Sequence, residues 1–546
     1  MNSPFAHHLG TNYCPTDEEI PDIRALLVEP SLRLQRLNAK IAELQMALEK
    51  LAEERESLVV YMDGYKALIS PLRRLPLDII QEIFLACIPT HRNCVMSASE
   101  APVLLGRICS SWRAIAYSTP RLWTQIHLVE PNRFYGVDMP SVEAKAAQRF
   151  AATKMWLDRS GDCPLSISLI CGIEDAEYTS TTPSHTPPFS QALIPFAARW
   201  QHVDFLLSPA GLDSILGLVE SDVPLLQSVK LQYDYPLEPR TTQLGSLGML
   251  RGPRISSFCG SGNDIISENL PLRWAQLTVL AMTTAGPWQS LMTSESALEI
   301  LRRCPELRTC RLTVNDGMES GVPSLPAIEL KSLNTLELHC EVVHYTLFHL
   351  LDRLSLPELR NFALSGRASV PHDFPSLAKS FTGWPRLESV DITSNTFSKA
   401  SLLESFRSLP DTVQELKIHD IPSDPGAPLI TSLDDDALAI LTPTDGLHPQ
   451  CPVLEVLDIV HCTDVTDEAI FRFIAARMSD EFETKLKRVH FRCNRGVVLD
   501  ILPSLQPFIE NGLDVSINYI VPFKPRSSPW QGLLDAPIDD LRFTEY

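Results

Sequence analysis

The sequence predicts an α/β chain: a long helix, then a small helical segment, then a solenoid of short parallel strands. Three observations predict it. Apolar residues step by three and four along residues 30–69, the period of a helix with one apolar seam. Near residue 120 the dominant apolar period changes from 3.5–3.6 to 2, the period of a strand. Beyond that point a unit of the form Leu-x-x-Leu-x-Leu recurs as far as Leu486. A length of 546 residues also exceeds what one compact core holds, so an array or several domains is expected. The expected divisions are a tail without fixed structure over 1–29, a coiled-coil helix over 30–69, and a helical domain over 70–125. The solenoid then covers 126–525 and a C-terminal tail 526–546.

The seam of the first helix reads Leu34, Leu37, Ile41, Leu44, Leu48, Leu51, Leu58 and Met62. Arg55 interrupts it at an a position, where a charge costs stability but sets register. Between the seam residues lie Lys40, Glu43, Glu49, Lys50, Glu53 and Glu54, good helix formers of alternating sign. Two partners for the seam stay open: a second copy, as a parallel homodimer through residues 30–65, or another part of the same chain.

The helical segment opens Leu75-Pro76-Leu77-Asp78-Ile79-Ile80-Gln81-Glu82-Ile83-Phe84. Proline suits a first helical turn, where its missing N–H would have no partner anyway. Ile79, Ile80, Ile83 and Phe84 recur at helical spacing and give one broad apolar face. A polar loop over 90–100 follows, then a second apolar helix containing Cys109, Trp112 and Arg113, then Leu122-Trp123. So few residues cannot bury that much apolar surface by themselves, so some of it faces a partner or the solenoid.

The segment closely resembles the F-box. That pattern opens Leu-Pro, continues Ile-x-x-x-Ile-Phe, and later shows Cys-x-x-Trp-Arg and a closing Leu-Trp. All of these stand here, at Leu75-Pro76, Ile79 with Ile83-Phe84, Cys109 with Trp112-Arg113, and Leu122-Trp123. The loop between the two helices is longer than in compact F-boxes. The resemblance implies docking on a Skp-type adaptor, and through it on a cullin scaffold that carries a ubiquitin-conjugating enzyme. Leu75, Pro76, Ile79, Ile83 and Phe84 would belong to the docking surface, and Cys109, Trp112, Leu122 and Trp123 to the module's core.

The repeat is clearest at Leu226, Leu277, Leu307, Leu333, Leu359, Leu387, Val413, Leu454 and Leu486, each opening a unit. From Leu307 to Val413 the steps are 26, 26, 28 and 26 residues, inside the leucine-rich-repeat range of 20–29. Leu122-Trp123-x-x-Ile126-x-Leu128 and Pro164-x-x-Ile167-x-Leu169 read as early strands of the same kind. Stretches such as Glu295–Leu301 carry helical spacing and would form the outer wall. The unit from Cys451 to Asp467 looks like the cysteine-containing repeat of F-box leucine-rich proteins. The whole arrangement is similar to the F-box-like proteins abundant in mushroom-forming fungi.

A net charge of -20 argues against nucleic acid and anionic membranes, and no Lys/Arg run exceeds a pair. No apolar stretch is long enough to cross a membrane and no secretion signal is read, so a cytoplasmic or nuclear protein is expected, its thirteen cysteines reduced. Phosphate-binding loops, nucleophile elbows and Cys-x-x-Cys pairs are missing. Cys87, His91 and Cys94 have metal-ligand chemistry but no fourth ligand at finger spacing. Asp434-Asp435-Asp436 reads as an acidic helix cap. No catalytic residue, metal or cofactor is expected.

The expected function is therefore recruitment of a protein target to a Skp–cullin–F-box ubiquitin ligase. The alternative is a repeat scaffold with no role in ubiquitin transfer. Target contacts would lie on the concave side, at strand positions between the buried ones: Thr335, Glu337 and His339; Asn361, Ala363 and Ser365; Ser389, Asp391 and Thr393; Glu415, Lys417 and His419. On the last expected strand Arg488, His490 and Arg492 stack three potential cations, a candidate site for an acidic or phosphorylated target.

Overall fold

Alternating apolar residues after residue 120 do form strands, and the strands stack in chain order. The computed structural model describes residues 4–69, 71–131, 139–171, 189–207, 209–233, 246–262, 269–283, 292–316, 326–343, 345–367, 376–420, 433–443, 450–479 and 484–520. The expected tail over 526–546 lies outside them. Two units emerge, Met1–Ala86 and Cys87–Tyr546, so the expected helical domain over 70–125 straddles their boundary.

In the first unit α1 spans Ile20–Leu68 and α2 spans Leu77–Ala86. Helix α1 begins well before the expected residue 30. The seam continues back through Leu27, Ile23 and Ile20, and Pro21 occupies the first turn, where a proline costs nothing. Pro30 lies inside the helix and withholds one backbone donor there.

In the second unit the strands are β1 (Gln125–Val129), β2 (Leu165–Ile170), β3 (Trp200–Leu207), β4 (Ser228–Tyr233), β5 (Ser257–Ser261), β6 (Val279–Thr283), β7 (Thr309–Thr313), β8 (Ile328–Glu329), β9 (Thr335–Val342), β10 (Leu354–Ser355), β11 (Asn361–Arg367), β12 (Ser389–Thr393), β13 (Glu415–His419), β14 (Val456–Cys462), β15 (Arg488–Cys493) and β16 (Asp514–Tyr519). All but β8 and β10, which pair with each other, form one 14-stranded sheet. Each strand lies parallel to its neighbours in sequence order, so every crossover returns on the same side and the sheet grows as a solenoid of the leucine-rich type.

Register follows from the repeat length: Leu312, Leu338, Leu364, Ile392 and Ile418 align across β7, β9, β11, β12 and β13. These residues, and those two positions earlier, are buried. Each fully buried side chain of this kind contributes about 1.5–3 kcal/mol, the main source of stability in a stack whose units have no core of their own.

Three strands of the 14-stranded sheet, β3, β5 and β16, fall outside the expected unit, as do the two-residue β8 and β10. Trp200, Val203 and Phe205 take the core positions of β3. In β5 Phe258 is followed by Gly260 where a leucine would stand. β16 is the edge strand with both faces partly exposed, so its alternation is incomplete.

Facing the sheet are helices with side-chain caps. Thr293 caps the helix Ser294–Arg302, as the helical spacing of that stretch predicts, and Ser398 and Thr466 cap Lys399–Arg407 and Asp467–Arg477. Asp434 caps Asp435–Leu441 by accepting from the N–H groups of Asp436 and Ala437, which is the acidic cap read from the sequence. Lys399 lies against Asp434 and Asp436, and Asp435 accepts from Thr466, so successive helix starts are tied together.

The strands bulge at two places. In β9 one extra residue stands between Cys340 and Val342, which pair with the consecutive Gly366 and Arg367 of β11. A Cβ at Gly366 would stand 2.8 Å from both the Cys340 carbonyl and Val343, so the two chains approach too closely for any side chain. In β14 the shift falls at His461, whose φ of 67° is in the left-handed region.

Candidate protein-binding surfaces

The F-box-like residues fall on both units. In α2 the apolar face is split. Phe84 is fully buried, whereas Leu77, Ile79 and Ile83 are 55%, 44% and 38% exposed. Pro76 is exposed and Leu75 half-buried. Phe84 therefore departs from its expected place on a docking surface. A helix turns about 100° per residue, so adjacent Ile83 and Phe84 face different directions, and Phe84 is the one turned inward. The exposed apolar set is Leu77, Ile79 and Ile83.

The second half of the module is built into the start of the solenoid. Two short helices, α3 (Leu105–Ile108) and α4 (Ser110–Tyr117), lead through a turn at Pro120–Trp123 straight into β1. Leu122 and Trp123 are 1% exposed. The Trp123 indole donates to the Ala116 carbonyl at 2.8 Å, stacks edge-on against Trp156 at 4.8 Å, and lies under the Arg159 guanidinium at 4.7 Å. Trp112 is half-buried. Cys109, expected in the core, is exposed. It stands at the N-cap of α4, where its sulfur accepts from the Trp112 N–H at 3.4 Å, a position outside the helix and therefore near solvent.

The polar loop after α2 has a structural task. Val95 bridges to His127, the His127 N–H donates to the Cys94 carbonyl at 2.7 Å, and Asn93 bonds Ser166 and Ser168. The loop thereby covers the free edge of β1, as a terminal cap of a repeat array must. Arg92 and Val95 N–H both bind Glu100 and hold the loop's shape. Cys94 is buried and its thiol is pushed up to about 11 by desolvation, while Cys87 and His91 are exposed. Among the described residues no three His, Cys, Asp or Glu side chains are grouped to hold a metal ion. All thirteen cysteines are free thiols, and Cys462 and Cys493, register partners on β14 and β15, have sulfurs 3.6 Å apart.

The other surface is the open face of the sheet. One register row reads His127, Ser168, Asp204, Lys230, Cys259, Ala281, Arg311, Glu337, Ala363, Asp391, Lys417, Asp458, His490 and Ser516. Opposite charges pair along it: Asp204 meets Lys230 at 3.0 Å and Arg311 meets Glu337 at 2.5 Å, and the His490 ring stands 2.9 Å from Asp458. This face is wetted and mutually neutralised. Pairs this exposed contribute little to stability, about 0–1 kcal/mol each, so the row is better suited to selecting a partner than to holding the fold.

The expected solvent-facing residues are exposed or half-buried, except Thr393. Thr393 is fully buried because the chain turns inward immediately after β12, into the turn Ser394–Thr396, and its hydroxyl bonds Gly366 N–H and His419. Arg488, His490 and Arg492 do share one face of β15. His490 is taken up by Asp458, however, and Arg488 stands 4.0 Å from Glu415. The positive edge thus reduces to Arg492 and the outer side of Arg488.

The sequence reading passed over a cavity of about 460 Å³ on this face, lined among others by Asp391, Lys417, His419, Asp458 and His461. Lys417 is the register neighbour of both aspartates but turns to Glu415 at 2.9 Å. Buried oxygens of Asp391 and Asp458 face His419 and His490 at 3.1 and 2.9 Å, and gain a hydrogen bond only if those imidazole nitrogens carry a proton. Aligning the repeat units that open at Leu387, Val413, Leu454 and Leu486 could have located this cluster, since it sets which strand residues become neighbours; the bulge at His461 has no such signal.

Among the described residues no helix is long and apolar enough to cross a membrane. No family model matches the chain, and no curated protein matches it. Among solved structures, a chain from the crystal structure of the yeast Rad7 and Elc1 complex is 14% identical, with a TM-score of 0.33, over 66% of this chain and 92% of that one. What the chain belongs to by its own architecture is the class of α/β solenoids with leucine-rich-type repeats.

Proposed function

We propose that this chain is a substrate-recruiting adaptor of a Skp–cullin–F-box ubiquitin ligase. Its F-box-like segment binds a Skp-type adaptor and its solenoid binds a protein target. The observation that carries the reading is the pairing of two features in one chain. Leu-Pro, Ile-x-x-x-Ile-Phe, Cys-x-x-Trp-Arg and Leu-Trp follow in order over residues 75–123, directly ahead of a long solenoid with an open polar face. The exposed Leu77, Ile79 and Ile83 support docking, because three large apolar side chains on one short helix are costly to leave in water.

Such an adaptor performs no bond chemistry. It acts by tethering, which raises the local concentration of a target lysine beside a conjugating enzyme held elsewhere in the assembly. We read the chain as not itself an enzyme.

The test is co-purification of tagged full-length chain with a Skp-type adaptor and a cullin. Replacing Ile79 and Ile83 together by Ala should abolish capture while the thermal melt of the solenoid stays unchanged. Each lost contact weakens binding by roughly 1–3 kcal/mol, so the pair lowers affinity by at least about thirtyfold. Unaltered capture by the folded double variant would refute the docking surface. Absence of capture by the wild type would leave the solenoid as a scaffold without a ligase role.

A further inference from the structure

Among the described residues of the N-terminal unit the seam of α1 stays exposed, and its pattern specifies a partner. Leu34, Leu37, Ile41, Leu44, Leu48 and Leu51 are each 51–69% exposed. Continued to both ends of α1, the heptad places Ile20, Leu27, Leu34, Ile41, Leu48, Arg55 and Met62 at a, and Ile23, Pro30, Leu37, Leu44, Leu51, Leu58 and Tyr65 at d. Two of those fourteen positions are defective, Pro30 and Arg55.

We propose that α1 pairs with α1 of a second copy of this chain as an antiparallel coiled coil, in the register that sets Leu37 opposite Leu48. In an antiparallel pair a residues meet d residues. This register aligns the two helices almost end to end. Six of its seven distinct layers are apolar, from Ile20 opposite Tyr65 at the ends to Ile41 opposite Leu44 at the centre. The seventh layer sets Pro30 against Arg55. Both defects fall in the same layer, where the compact proline ring leaves room for the arginine stem to lie across it and its charge to reach water. A parallel pair would instead stack Arg55 on Arg55 and Pro30 on Pro30.

Charge supports the same orientation independently. Residues 20–40 carry Arg24, Arg33, Arg36 and Lys40 against two carboxylates, whereas residues 41–68 carry six carboxylates against three cations. Antiparallel pairing lays the basic half along the acidic half, and parallel pairing lays like along like. The flanking g positions agree: Arg33 meets Glu54 of the second copy, and the two-fold symmetry makes that contact twice. In a parallel pair Arg33 would meet Asn38, and Glu54 would meet Val59. The two chains would leave opposite ends of a rod about 70 Å long, at 1.5 Å per residue, so one ligase assembly would present two solenoids to a target.

The test uses full-length chain in sedimentation equilibrium at micromolar concentration. Arg33→Glu and Glu54→Arg should each weaken the dimer on the order of tenfold, from two exposed ion pairs turned repulsive. The double variant should recover to within about threefold of wild type. Carbodiimide should also join Lys66 to an acidic residue of positions 17–19. Within one helix those groups are about 70 Å apart, so the product forms only between antiparallel copies. A wild type that is monomeric at these concentrations, a double variant no tighter than the single ones, or a dimer that survives Leu44→Asp with Leu48→Asp would overturn the proposal. Loss of adaptor capture is a separate readout, so this proposal and the ligase reading fail independently.

Discussion

Asp467, Arg495 and Tyr519 join three consecutive units at the C-terminal end of the solenoid. Asp467 is 2% exposed and accepts from Arg495 at 2.5 Å, Tyr519 at 2.9 Å, and the Val498 and Leu499 N–H groups at 3.0 and 2.8 Å. Burial by itself would raise its carboxyl, but the donors, Arg495 first among them, outweigh burial and hold it at about 2. Because that group binds its proton less readily in the folded protein than in the unfolded chain, its stabilisation is complete above pH about 4 and is lost as pH falls through about 2. Asp467→Asn should cost about 2–4 kcal/mol at pH 7, and the deficit should shrink toward zero near pH 2; urea titrations at both ends of that range measure it. Arg477 is another buried charged residue, 1% exposed, donating to the carbonyls of Leu441 at 2.7 Å and Cys451 at 2.8 Å and to that of Gln450. Desolvation lowers its pKa to about 10, so it stays charged at neutral pH. Arg477→Met should cost about 3 kcal/mol, and Arg477→Lys should recover little, because an ammonium cannot reach three carbonyls with a planar fork.

Among the elements, the strands were the most legible in the sequence and the short helices the least. A strand of this sheet needs two buried residues two apart, and leucine or a branched residue supplies them at Leu336 with Leu338, Phe362 with Leu364 and Val390 with Ile392. Where Trp200 opens the strand, or Gly260 fills the second position, the pattern fades although the strand forms, because neighbours impose the register. Exposure within α2 could not be read, since Ile83 and Phe84 are equally apolar and only tertiary packing separates them. Arg477 and Asp467 were passed over for the same reason: a charged side chain reads as surface until its partners, 26 to 52 residues away, are known. The bulge in β9, opposite Gly366 of β11, gives a test at this scale. Gly366→Ala places a methyl group 2.8 Å from a backbone carbonyl, which must shift, so a loss of about 1–3 kcal/mol is expected in thermal or urea unfolding. Gly383→Ala, where the nearest contact is 3.3 Å, should cost distinctly less.

At the scale of the whole molecule, the proposed function and the proposed dimer give separate tasks to separate parts: the exposed apolar seam of α1 to a second copy, the exposed residues of α2 to an adaptor, and the charged row of the sheet to a target. Mixed Asp, Glu, Lys and Arg along that row leave little net field, so on this reading target choice rests on matching a charge pattern. Arg492 and the outer part of Arg488 remain the local positive edge, and Arg488→Glu with Arg492→Glu should change the partners captured at low salt more than at moderate salt. The measurement that bears most directly on the central claim is calorimetric titration of the purified full-length chain with a purified Skp-type adaptor. The account predicts saturable one-to-one binding per chain, in the micromolar range or tighter, with a negative heat-capacity change from apolar burial, lost in the Ile79→Ala, Ile83→Ala variant. A wild-type chain that is folded by circular dichroism yet gives no binding heat and no co-migration at tens of micromolar adaptor would contradict it.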